Sequence, residues 1–366
     1  MAIKENLETF AVKTALKYLN KDPENNIPKL LDMFEILDVK NEFAPIFDSI
    51  RLAVNDKNSN WYKLILSLWQ DIDPGVRNRL FENFVIKGSI AGYKKQNENK
   101  ARYNCNIPWA ILMDPTSACN LNCTGCWAAE YGNHMNLSYE EMDDIVNQGV
   151  ELGTYIYLFT GGEPLVRRRD IIKLCETHPD CVFSAFTNGT LIDEDFADEI
   201  LRVKNFVPAI SIEGFEKETD SRRGLGTYNK ILNAMDILKR KRLPFGISCC
   251  YTRANAEIIA SEEYFDFMIE KGAKFAWFFT YMPVGKGAVK ELMVTAGQRE
   301  MMYHKIREYR SSKPIFTVDF WNGGEYVGGC VAGGKSYMHI NANGDIEPCA
   351  FVHYSDSNIR EKSLLE

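Results

Sequence analysis

The sequence predicts an α/β fold: a partial (β/α)6 barrel between an N-terminal helical domain and a C-terminal glycine-rich α+β extension. Three observations predict it. Residues 1–104 carry apolar side chains at three- and four-residue spacing, the period of amphipathic helices. Residues 105–290 alternate short β-rich runs with helical stretches, the pattern of a parallel sheet with right-handed crossovers. Residues 291–366 are rich in glycine and carry a hairpin signal. These three ranges are the expected domains.

The helical region reads as "ENLETFAVKTALKYLN", "IPKLLDMFEIL", "FAPIFDSIRLAV" and "NWYKLILSLWQDI". Asp73-Pro74 then supplies an N-cap and a proline at the first helical position, opening the next helix. "NRLFENFVIKGSIAGYKKQ" follows, and the polar run "QNENKARYN" reads as a linker. The amphipathic helices, with Trp61, Tyr62, Leu64, Leu66 and Trp69 close together, are expected to pack on the barrel. A groove for a lipid or other apolar substrate is the alternative.

Six strands are expected at "WAILMDP", "YIYLFTGG", "VFSAFTNG", "FVPAISIEG", "PFGISCCYT" and "FAWFFTYMPVG". All are apolar throughout, as strands covered on both faces would be. Helical stretches such as "SYEEMDDIVNQGVELG" and "DEDFADEILRV" lie between them, and Ser138 with Glu141 forms a capping-box pattern. Six units fall short of a closed eight-unit barrel, hence a partial one. After the helix "TAGQREMMYHKIREYRSSK", Asn343-Gly344 marks a hairpin between "SYMHINA" and "DIEPCAFVH".

The bulk properties exclude several classes. Apolar residues make up 45% of the 366, enough for a substantial core. The net charge is −7 with no long run of one sign, which argues against nucleic acid as the main partner. No apolar stretch reaches the length of a membrane span, and "MAIKENLETF" lacks a signal-peptide pattern. A cytoplasmic location is expected, where clustered cysteines bind metal or do chemistry rather than pair.

That makes "SACNLNCTGCWA" the central motif. It puts Cys119, Cys123 and Cys126 in a loop after the first strand, at the sheet end where α/β proteins bind ligands. A structural zinc site or a four-iron cluster wants four ligands. Three thiolates would leave one iron open to coordinate something else. The alternatives are buried cysteines without a ligand, or a zinc site completed by His134. The other strand ends carry matching chemistry. "TGGEP" ends the second strand, with Gly161 and Gly162 for close approach and Glu163 for an amino group. "TNG" ends the third strand and "SIEG" the fourth, where Ser211 and Glu213 suit hydroxyl groups such as those of a ribose.

With these residues the chain resembles the radical S-adenosylmethionine (radical SAM) enzymes, over roughly residues 107–290. The resemblance implies a [4Fe-4S] cluster on Cys119, Cys123 and Cys126, with S-adenosylmethionine on the open iron. Gly161, Gly162, Glu163 and Pro164 would hold the methionine amino group, Ser211 and Glu213 the ribose, with Asn188 nearby. Arg223 of "DSRR" would pair with the methionine carboxylate. It also implies reductive cleavage to a 5′-deoxyadenosyl radical that takes hydrogen from an unactivated C–H bond. A reductant such as flavodoxin or ferredoxin would be the partner. Two departures stand out: Gly125 sits where the family often has an aromatic, a face Trp127 is expected to cover, and Glu213 replaces a commoner aspartate. No acid, base or final hydrogen donor declares itself.

Cys330, Gly344 and Cys349 resemble the start of the SPASM or twitch extensions that bind auxiliary iron–sulfur clusters. Two unrelated cysteines on a hairpin is the alternative. No cysteine follows Cys349, and Ser363 stands ready to cap a helix at "LLE", so a longer native protein is expected. Failing that, His339, His353 or Cys105 would have to complete the site. Adjacent Cys249 and Cys250 on the fifth strand should point to opposite faces without pairing, and Cys175 and Cys181 should be buried. The implied chemistry is peptide or protein modification, with a lipid or other apolar small molecule as the alternative substrate. An iron–sulfur carrier or sensor is the alternative class.

Overall fold

The computed structural model describes Thr14, residues 17–27, Lys29 and residues 44–366, without the side chains of 44–47 and 49. Most of "ENLETFAVKTALKYLN" and "IPKLLDMFEIL" therefore lies outside the described residues.

Nine strands form one sheet in the order β7-β6-β5-β4-β3-β2-β1-β8-β9. They are β1 Ala110–Met113, β2 Ile156–Phe159, β3 Val182–Thr187, β4 Phe206–Ser211, β5 Gly246–Tyr251, β6 Phe275–Thr280, β7 Phe316–Asp319, β8 Tyr337–Ile340 and β9 Ile346–Glu347. All pairs are parallel except β8 with β9, the hairpin around Gly344. The six expected strands stand in sequence order. The C-terminal region adds β7 at one edge and β8 beside β1 at the other.

The sheet curls. Phe186 on β3 meets Trp277 and Phe279 on β6 edge to face, with ring centroids 5.6 and 5.7 Å apart. In a flat sheet those strands would lie about 14 Å apart, at roughly 4.8 Å per step. Phe320, just beyond β7, reaches Tyr337 of β8 at 6.1 Å, so the two ends of the sheet approach each other. The result is a partial barrel with a concave inner face.

The helices cover the outer face. Tyr157, Phe159 and Phe183 stack there and are fully buried against Met142, Ile145 and Val146 of the helix Tyr139–Leu152. Burying one such side chain contributes about 1.5–3 kcal/mol. The Ser138–Glu141 capping box opens that helix as expected. The inner face differs from the expectation of strands covered on both sides. Leu112, Leu158, Ser184, Phe186, Trp277 and Phe279 are only half-buried. The runs are apolar on both faces because the inner one is lined with rings and small side chains, not because helices cover it.

The N-terminal helices track the opposite end of the barrel from the cysteine loop. Asn60 of the helix Asn60–Asp71 donates to Arg310 O (2.8 Å) and Lys313 O (3.0 Å), and Trp61 packs on Phe316 at the start of β7. Lys274 before β6 donates to Ser67 at 2.9 Å. Asp73 caps the helix Pro74–Phe81, and its backbone N–H bonds to Arg242 O before β5. A π-helix, Glu82–Ala91, follows, with Asn83 donating to Cys181 O before β3. The last helix, Gly92–Tyr103, corrects the linker expectation. "QNENKARYN" is helical almost to its end because Gln96 donates to Gly153 O (2.9 Å) and Asn99 to Leu152 O (3.0 Å), satisfying carbonyls at the end of another helix.

Candidate active site

The loop between β1 and the turn Trp127–Tyr131 is built by its own backbone. Ser117 exchanges hydrogen bonds with Met135 (N–H to O at 2.9 Å, and Met135 N–H to Oγ at 3.0 Å). Ala118 N–H donates to Thr116 Oγ1 at 3.0 Å. Cys119, Cys123 and Cys126 are half-buried on this loop, all as free thiols. Burial pushes the Cys119 thiol up to about 11 and raises Cys123 as well, against the pull of Arg223. Such thiols lose their protons to a metal rather than to water. Among the described residues, no three His, Cys, Asp or Glu side chains close on one metal-ion position.

"GGEP" runs directly beside the loop. Gly162 N–H bonds to Thr116 O (3.0 Å) and Glu163 N–H to Ala118 O (2.8 Å). A Cβ on Gly162 would lie 2.2 Å from Ala118 O, so the glycine is required by loop backbone. Glu163 is 1% exposed. Its carboxylate accepts from Leu165 N–H (3.0 Å), Thr187 Oγ1 (2.6 Å) and Asn188 N–H (2.7 Å). It thus clamps the ends of β2 and β3 together, while Pro164 starts the short 3-10 turn Pro164–Arg167. Asn188 Nδ2 donates to Asn120 Oδ1 at 2.8 Å, tying β3 to the cysteine loop.

The fourth strand end joins the same cluster. Glu213 is fully buried and accepts from Arg222 Nη1 (2.6 Å) and Arg223 Nε (3.0 Å) on Oε1. Its Oε2 has no partner. Arg222 Nε also donates to Thr124 O at 3.3 Å, and Thr124 N–H to Arg222 O at 2.9 Å. Both guanidinium groups lie in the field of Cys123. Ser211 is half-buried at the end of β4. The sequence reading named Arg223 and missed Arg222, whose only signal was its place in the last turn of the helix Glu216–Arg223.

Trp127 does not cover the face expected of it. It packs on Phe351 (5.5 Å), His339 (6.2 Å) and His353 (6.4 Å), away toward the C-terminal hairpin. Gly125, at φ +72°, is met instead by Tyr281, which a Cβ would approach to 2.8 Å. His339 is fully buried between Asp114 Oδ1 (3.0 Å) and Glu347 Oε2 (2.8 Å), and Tyr131 OH donates to Glu347 at 2.9 Å. Burial pulls the imidazole down, but the two carboxylates carry it up to about 9. His339 is thus committed as an imidazolium, and no ring nitrogen is left for iron.

Cys330 is exposed and Cys349 buried. The structure brings both to Tyr337, whose hydroxyl lies 3.1 Å from Cys349 Sγ and in the field of Cys330. Asn106, beside the exposed Cys105, donates to Lys335 O at 2.8 Å and so joins the same loop. Cys249 and Cys250 do not pair, and Cys175 and Cys181 are buried, as expected.

Residues 113–256 match the sequence profile of the Radical SAM superfamily. Those residues form a radical SAM domain. Similar proteins include the AdoMet-dependent heme synthase of Methanosarcina barkeri, 24% identical over 290 residues, covering 71% of this chain and 82% of that protein. A cysteine-type anaerobic sulfatase-maturating enzyme of Clostridium perfringens is 29% identical over 192 residues, 47% of this chain and 51% of that one. Among solved structures, Streptococcus suis SuiB bound to precursor peptide SuiA superposes with a TM-score of 0.60 at 22% identity, covering 75% of this chain and 68% of that one. Native anSMEcpe with bound AdoMet gives 0.57 at 20% identity, covering 70% and 79%. At those identities the structural likeness is one of fold. No helix among the described residues is long and apolar enough to cross a membrane.

Proposed function

We propose that this radical SAM protein is an enzyme that acts on an apolar C–H group, with residues 105–290 as its catalytic core. Cys119, Cys123 and Cys126 would ligate a [4Fe-4S] cluster. When bound, that cluster and S-adenosylmethionine supply a 5′-deoxyadenosyl radical that takes hydrogen from an unactivated carbon. The observation that carries the reading is the convergence of three half-buried thiols, two arginines and the glycine segment on one end of the barrel, above a ring-lined inner face.

Each residue has work in this reading. Arg222 and Arg223 place positive charge beside the cysteine loop, which offsets the negative charge of thiolates. Gly161, Gly162, Glu163 and Pro164 form the wall next to the loop, where the backbone would meet the methionine amino group. Glu213, with its unpartnered Oε2, and Ser211 would receive the ribose. Arg223 would add the carboxylate contact through the part of its guanidinium that Glu213 leaves over. Asn188 holds the loop in place through Asn120. Cys330 and Cys349 would contribute to an auxiliary iron–sulfur site of the SPASM or twitch kind. A one-electron carrier protein such as flavodoxin or ferredoxin would act as reductant, in the cytoplasm.

Peptide or protein modification is the first reading of the substrate, since SuiB is solved with a precursor peptide and the sulfatase-maturating enzyme is named for its protein target. An apolar small molecule is the second. It is favoured by Phe186, Trp277 and Phe279, half-buried on the inner face without an ionised neighbour on the same strand faces.

The test is anaerobic reconstitution with iron and sulfide, followed by S-adenosylmethionine and dithionite. Deoxyadenosine should form, and alanine at Cys119, Cys123 or Cys126 should abolish both it and about four irons per chain. An iron-loaded protein that makes no deoxyadenosine would be a carrier or sensor instead.

A further inference from the structure

Cys250 is a thiol on the inner face that the proposed function leaves unused. Along β5 the burial alternates: Cys249 is 0% exposed and lies 3.2 Å from Tyr264 OH in the helical layer, while Cys250 is half-buried. The register fixes which face that is. Cys250 is paired with Phe279, and Ser248 with Trp277, two rings that meet Phe186 across the concave side. On its other flank lies the charged cluster. The Arg222 guanidinium, bonded to Glu213, acts electrostatically on the Cys250 sulfur as it does on Cys123 and Cys126. Asn255 Nδ2 donates to both Glu213 O (3.0 Å) and Cys250 O (3.3 Å), so the two residues are held side by side.

A thiol on a wall is not by itself a site. The second observation is Glu213, fully buried in the same cluster with Oε2 unpartnered. Leaving such an oxygen unmatched costs about 1–3 kcal/mol or more, which marks the cluster as incomplete without a further donor. Cys250 stands between that cluster and the aromatic wall.

The geometry points to Cys250 as the hydrogen-atom donor that ends the reaction, an inference that rests on the radical SAM reading above. The carbon-centred radical on the substrate takes the hydrogen atom of the Cys250 S–H. A C–H bond forms, the weaker S–H bond breaks, and one unpaired electron is left on sulfur. One electron from the low-potential reductant and one proton from solvent restore the thiol. The reaction class is therefore one that returns hydrogen to the substrate carbon with its oxidation state unchanged, by inversion, rather than one that oxidises it.

The test needs no substrate. The reconstituted protein is equilibrated in D2O, without added thiols, and given S-adenosylmethionine and dithionite. Its S–H groups become S–D; N–D and aliphatic O–D bonds are too strong to compete, and the Cys250→Ser arm separates the thiol from tyrosine O–D. Wild type and a Cys249→Ser control should yield deoxyadenosine carrying one deuterium. In Cys250→Ser the deuterated fraction per deoxyadenosine formed should fall at least about fivefold. An equal fraction would overturn this inference alone. No deoxyadenosine from wild type would overturn the preceding reading and this one with it. Loss of iron in Cys250→Ser would make the residue a ligand and overturn it too. A measurement on the iron-free wild type is independent of turnover and of any variant's folding: N-ethylmaleimide should label Cys250 well ahead of Cys249, scored by peptide mass spectrometry. Equal protection of the two would sink the proposal.

Discussion

Raising the pH should loosen the join between the barrel and its C-terminal hairpin, through His339. The imidazole is fully buried between Asp114 and Glu347, and its pKa is carried from 6.5 up to about 9. A raised folded pKa contributes stability that is complete below the unfolded value and lost as pH climbs through the folded one. That shift contributes about 2.5 kcal/mol at pH 7 and about 0.5 kcal/mol at pH 9. For 366 residues the loss of about 2 kcal/mol lowers Tm by about 3 °C. The assay is calorimetry from pH 6.5 to 10, with His339→Gln as reference to remove the titration of other groups. Wild type should start more stable, because removing the cation leaves two buried carboxylates facing each other, a loss of about 3–5 kcal/mol. Its advantage should then shrink across that window. A constant difference between the two proteins over the whole range would refute the buried imidazolium.

Three further outcomes follow from the site. Gly162→Ala should reduce both stability and iron retention, because its Cβ would sit 2.2 Å from Ala118 O and push the cysteine loop; about 1–3 kcal/mol is expected in a chemical melt. Glu163→Gln should weaken S-adenosylmethionine binding roughly tenfold or more by calorimetry while iron is retained, since the amide cannot accept from Leu165, Thr187 and Asn188 as the carboxylate does. Unchanged affinity would place the cofactor elsewhere. A Cys330→Ala/Cys349→Ala double variant should keep the roughly four irons of the first cluster. Loss of a stable second cluster would show that this chain completes the auxiliary site by itself.

The sheet was legible because its strands are short, apolar and separated by capped helices. The strand-end motifs then put Cys119, Gly161, Asn188 and Glu213 at one end without any contact being known. Long-range partners were not legible. "QNENKARYN" looks like a linker because its composition is polar, yet Gln96 and Asn99 spend that polarity on carbonyls about fifty residues away. β7 and β8 were missed as barrel strands because they lie in the glycine-rich region past the regular alternation, and β8 pairs with β1 across more than two hundred residues. Two of the three partners of the Glu163 carboxylate, Thr187 and Asn188, come from the end of β3, and nothing in "GGEP" announces them. Arg222 was visible only as the neighbour of Arg223, while the adjacent Cys249 and Cys250 were expected on opposite faces without it being known which faced inward. Face assignment needed the register, and for Trp127 the path of the chain beyond the third cysteine.

An open barrel has no closing row of hydrogen bonds, so its own sheet does not set its radius. Here the gap lies between β7 and β9. Residues 60–96 act as a tie rod around it, fastened at Arg310 and Lys313 on one side and at Gly153 on the other. Tension or slack in that rod changes how far the sheet can unroll. Loss of a fastening at that far end would let the mouth over Phe186, Trp277 and Phe279 widen. Asn60→Ala touches no part of the chemistry, yet it should widen the mouth and shift the size of molecule the protein admits.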